Sequence, residues 1–192
     1  MPTRSKAAVL VAGIAAVVLA GASLSTWADS PARETQYVEV AESGRYFFVM
    51  LPAGTADDDW REARGYAYEL KRDGSMEELW SVNGWYSFST FLTRNGRHLV
   101  RMGPWASRPP NEELAAAFYT DGKEHTRYTV ADLLEDTTNV RRSISHYQWE
   151  LNGKGFPRLT SNDRLQILTI ENVLITFDAT SGELLKRQTY EN

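Results

Sequence analysis

From Gln36 onward the chain alternates apolar and polar residues in short runs, and polar turns separate the runs. "GYAYELKRDGSMEELWSV" shows the pattern: Tyr66, Tyr68 and Leu70 fall on one side of an extended strand, and Ala67, Glu69 and Lys71 on the other. Three such runs fold back at Asp73-Gly74, Asn95-Gly96 and Asp121-Gly122. These pairs supply the positive φ that tight hairpin turns demand, so each marks a hairpin. "QYVEVAESGRYFFVML" predicts another, turning at Glu42-Ser43-Gly44-Arg45.

One interruption is helical. Thr129 opens "TVADLLEDT" and Asp132 lies three residues on, the spacing of a capping box. "NEELAAAF" could also begin a helix, but its distance from Asp121-Gly122 favours a strand from Leu114. "SISHYQWEL" (143–151) reads as one strand, followed by strands at 164–170, 173–178 and 183–188. Roughly twelve strands and almost no helix predict an all-β domain: an antiparallel meander curled into a sandwich or open barrel, with one short helix.

Two passages carry a local resemblance. "FLTRNGRHLV" resembles the hairpin of TolB-type β-propellers, and "TFDATSGELLKR" is similar to a YncE-type or quinoprotein repeat. The resemblance implies a propeller-like repeat; it transfers no functional residue and implies no cofactor. A propeller needs at least about four blades of roughly 40–45 residues. Here the turns suffice for roughly three, and their spacing drifts from 22 residues (Gly74 to Gly96) to 26 (Gly96 to Gly122). A closed propeller is therefore disfavoured.

The first 28 residues form a different segment. Arg4 and Lys6 precede an apolar run from Ala7 to Leu24, and Thr26-Trp27-Ala28 places small residues where a signal peptidase reads. This predicts export to the periplasm or exterior; an uncleaved membrane anchor is the alternative. Residues 29–35 read as a polar lead-in, and 36–192 as a single domain. Removing Arg4 and Lys6 from 21 basic residues leaves 19 against 25 acids, a net charge of −6. With its bases scattered, such a chain has no electrostatic basis for nucleic-acid binding. The absence of cysteine excludes disulfides, thiolate metal sites and a cysteine nucleophile.

No catalytic motif is present. His98, His125 and His146 fall on separate strands, so no metal site is predicted, and Asp57, Asp58 and Asp59 read as a solvated acidic loop. His146, Gln148 and Glu150 share one strand face. His146 and Glu150 are then about 13 Å apart on an extended strand, too far to act as a pair unaided. With Asp132 they are the acid/base candidates for an envelope hydrolase. Trp80, Trp85, Tyr86, Arg101, Trp105 and Trp149 are the ligand-binding candidates, because aromatic rings beside Gly or Pro bends can form a platform. Three readings follow. The first is a non-enzymatic binding module for a glycan or envelope protein, the second that hydrolase, and the third a subunit that pairs through an open sheet edge.

Overall fold

The computed structural model describes residues 32–54, 62–151 and 153–191. Residues 1–28, expected from sequence to be a signal segment, and the Asp57, Asp58, Asp59 run lie outside the described residues. Among those described, fourteen strands form antiparallel sheets.

The first sheet is a meander of β1 (Tyr37–Val40), β2 (Tyr46–Leu51), β3 (Arg64–Leu70) and β4 (Met76–Asn83). The second repeats the plan with β5 (Thr90–Leu92), β6 (His98–Met102), β7 (Leu114–Thr120) and β8 (Lys123–Thr129). Helix α1 (Val130–Leu133) and a 3-10 turn (Thr137–Asn139) lead to the short pair β9 (Arg141–Arg142) and β10 (Tyr147–Gln148). The third meander is β11 (Arg158–Leu159), β12 (Arg164–Leu168), β13 (Val173–Asp178) and β14 (Leu184–Thr189). The hairpin glycines Gly74, Gly96 and Gly122 all have positive φ, between 72° and 84°. The turn chemistry thus acts where the sequence placed it.

The three meanders are stacked sheet on sheet. Phe48, Met50, Ala67, Trp80 and Val82 of the first sheet pack on Leu92, Leu99, Ala117 and Tyr119 of the second. Val100, Met102, Ala116 and Phe118, from the second sheet's other face, pack on Leu165, Ile167, Ile175 and Phe177 of the third. The middle sheet is therefore buried on both sides, which is why β7 reads as a nearly unbroken apolar run, LAAAFYT. Three four-stranded units do not reach the number needed for a closed ring, and no closed barrel forms among the described residues.

One expectation needs correction. Residues 143–151 are not a single strand: only Tyr147–Gln148 is regular, followed by an isolated bridge between Glu150 and Thr169. Ser143 ends the pairing because its hydroxyl competes for local partners: it accepts from the His146 backbone N–H (3.3 Å) and lies 2.6 Å from His146 Nδ1.

Candidate functional site

The residues around "MGPW" and "SHYQWE" come together between the second and third sheets. β6 ends at Met102, and Gly103 donates to Ala115 O at 2.9 Å. A Cβ on Gly103 would lie 1.8 Å from the Leu114 carbonyl oxygen, so only glycine permits this approach. The chain then leaves the sheet through Pro104 and presents Trp105. Glu113, 2% exposed, ties down the loop: its Oε2 accepts from Ser107 N and Arg108 N, both at 2.7 Å. Ala106 O in turn accepts from Tyr147 N at 2.9 Å, and Trp149 O accepts from Ile170 N at 3.0 Å. The segment 147–151 is thus strung between the Trp105 loop and β12.

A cavity of about 550 Å³ opens along this segment, with Phe88, Met102, Trp105, His146 to Glu150 and Pro157 in its wall. That is ample for a small organic ligand. The Trp105 and His146 rings lie 4.0 Å apart, centroid to centroid, inclined at 41°. Glu150 Oε2, Trp105 Nε1 and Tyr147 Oη are buried with no hydrogen-bond partner among the described residues, and all three residues line the cavity. Burial pushes the Glu150 carboxyl up to about 7 and, aided by Glu113, the Tyr147 phenol up to about 12. Among the described residues no Lys or Arg lines the cavity, so no permanently charged cation faces a ligand carboxylate or phosphate there.

Of the candidates, the structure gathers His146, Glu150, Trp105 and Trp149 at this cavity. Trp149 is 5% exposed and packs with Tyr147 into the core between the second and third sheets, so most of its ring is structural. The others lie elsewhere. Trp80 is a core residue under Phe48, its indole N–H satisfied by Gly96 O at 2.9 Å. Trp85 packs on Tyr119 with the Arg101 guanidinium 4.5 Å from its ring centre, and neither lines the cavity. Tyr86 stacks edge-on with Tyr37 and Phe88, and its hydroxyl donates to Thr35 O at 2.8 Å, pinning the chain before β1.

Asp132 is not an acid/base group of this site. Its carboxylate accepts from Thr129 N (2.7 Å) and Thr129 Oγ1 (2.8 Å), completing the capping box of α1. Asp132→Ala is expected to lower stability by about 1 kcal/mol and to leave ligand binding at the cavity unchanged; urea denaturation and a binding titration check the two parts. Gly103 and Glu113 were missed by sequence reasoning. The bend at "MGPW" signals the first, but nothing in "NEELAAAF" marks Glu113 as a loop anchor.

No family model and no curated protein matches this chain. Among solved structures, the periplasmic gluconolactonase PpgL of Pseudomonas aeruginosa aligns over 84% of this chain and 74% of its own, at 12% identity and a TM-score of 0.31. That is a weak structural likeness and transfers no activity. No described helix is long and apolar enough to cross a membrane.

Proposed function

We propose that this chain is an exported binding module whose cavity takes an uncharged, polyhydroxylated ring, the chemistry of a sugar unit from an envelope or extracellular glycan. One observation carries the reading: the Trp105–His146 ring pair stands in the same wall as three residues whose buried polar atoms lack hydrogen-bond partners among the described residues. A sugar ring matches such a wall, with C–H faces for aromatic rings and hydroxyls for polar edges. The lining holds no Lys or Arg among the described residues, which disfavours strongly anionic ligands. The test is titration with a panel of neutral mono- and disaccharides, read by calorimetry and tryptophan fluorescence. Binding by at least one member is expected, and Trp105→Ala should weaken it about 30-fold, the loss of a buried aromatic anchor. No heat and no fluorescence change across the panel would sink the proposal.

A second reading, hydrolysis, is favoured by the Glu150 carboxyl, which burial keeps partly protonated near neutrality. It could give a proton to a departing oxygen while His146, in the same wall, takes one from the attacking water. Glu150→Gln would then abolish turnover of a bound ligand while preserving binding.

A further inference from the structure

We propose that the outer face of the first sheet is a self-pairing surface, by which two copies of this chain dock face to face about a two-fold axis. The register defines the face. Phe48, Met50 and Ala67 point into the core shared with the second sheet, so the alternate residues Phe47, Val49, Tyr66 and Tyr68 point away from it. Val38 and Val40 on β1 pair with Val49 and Phe47 and join that side, as do Leu70 and its cross-strand partner Met76.

Phe47, Val49, Tyr66 and Tyr68 are half-buried, and Val38, Val40, Leu70 and Met76 around them are exposed. Val38 is 56% exposed, Val40 57% and Met76 66%, and of the eight large exposed hydrophobics among the described residues five belong to this one sheet (Val38, Val40, Leu70, Met76, Leu79). Phe47 and Tyr68 stack at 5.3 Å, forming a ready-made aromatic ridge. Monomeric proteins rarely leave a continuous apolar patch of more than a few hundred Å² open to water.

Area and charge point to a second copy as the occupant. Four strands about 4.8 Å apart, averaging about six residues at about 3.3 Å each, span roughly 400 Å². Two copies bring roughly 800 Å² of flat area, and interdigitating side chains raise this to about 1,000–1,200 Å², the lower end for a specific interface. A reversible dimer of micromolar affinity fits that size. Within its strands this face carries one base and one acid, toward opposite ends: Arg64 pairs in register with Asn83, and Glu78 with Tyr68; Arg45, just before β2 and opposite Leu70, is already paired with Glu69. A two-fold axis running across the strands brings the Arg64 end of one copy over the Glu78 end of the other, so both charges are matched twice.

The outer face of the third sheet is a poor alternative. It presents the Arg164–Asp178 ion pair, Gln166, Thr176 and Lys186, a polar surface suited to water.

Sedimentation velocity across about two decades of concentration, centred in the micromolar range, tests the proposal. The weight-average mass of the purified chain should rise from one chain toward two. Val38→Lys and Tyr68→Glu should each weaken pairing at least tenfold while leaving circular dichroism unchanged, because both side chains lie outside the core. Arg64→Glu should weaken it, and adding Glu78→Arg should restore it. A constant single-chain mass overturns the proposal, as does pairing that survives Val38→Lys and Tyr68→Glu. Dissociation by Lys186→Glu would also overturn it, because the third sheet would then be the mating surface.

Discussion

Wild-type protein is expected to lose about 2 kcal/mol of stability between pH 4.5 and pH 7.5 that Glu150→Gln does not lose. The folded-state carboxyl is raised from 4.5 to about 7 by burial alone. Below 4.5 both folded and unfolded chains carry the proton, and the group has no net effect. As pH rises past 4.5, the unfolded chain releases its proton while the folded chain must hold it, so unfolding becomes easier until the folded group also ionises near 7. The full shift corresponds to about 3 kcal/mol as an upper bound, and the effective dielectric of protein interiors brings the expected loss to about 2 kcal/mol. Glu39, which burial also pushes to about 7, adds to the same slope. Asp178 acts in the opposite direction. Burial alone would raise it, but hydrogen bonds from Thr180 and Arg164 outweigh that and hold it near 2, so its contribution is lost only as pH falls from 3.8 toward 2. The two trends place maximum stability near pH 4–5. Urea midpoints at pH 4.5, 6 and 7.5 for wild type and Glu150→Gln check the slope; parallel lines for the two proteins refute it.

Gly103→Ala is expected to cost about 3 kcal/mol, the upper range for one inserted methyl group, and to abolish binding at the cavity. The added carbon would lie 1.8 Å from the Leu114 oxygen and 2.7 Å from its carbonyl carbon. Both are backbone atoms of the central sheet and cannot swing aside as a side chain could. Relief requires β6 and β7 to part where Gly103 donates to Ala115 O. Trp105 is two residues further on, so the ring pair with His146 moves with it. Urea denaturation gives the stability loss and a saccharide titration the binding loss. A variant as stable as wild type would show that the approach is not tight.

The hairpins were legible because their determinants are local. Asp73-Gly74, Asn95-Gly96 and Asp121-Gly122 specify backbone angles within two residues, and the capping box of Thr129 and Asp132 is equally short-range. The site was half legible. Alternation puts His146 and Glu150 on one face, and both line one cavity, although the continuous strand expected to carry them is broken at the Ser143 turn. The tryptophans could not be sorted from sequence. Trp80 and Trp105 both follow β-like patterns, and what separates them is whether a distant carbonyl, Gly96 O, is there to receive the indole proton. That depends on tertiary contact and has no spacing rule.

Ala115, Ala116 and Ala117 are all fully buried in the one sheet that faces two cores. Their methyl groups act as spacers for the whole stack, with Ala116 setting its thickness toward the third sheet and Ala117 toward the first. A bulkier neighbour on either side would jack the layers apart, so this strand should accept the fewest substitutions in the molecule. The polar positions on the outer face of the third sheet, such as Gln166, Thr176 and Lys186, have room to vary.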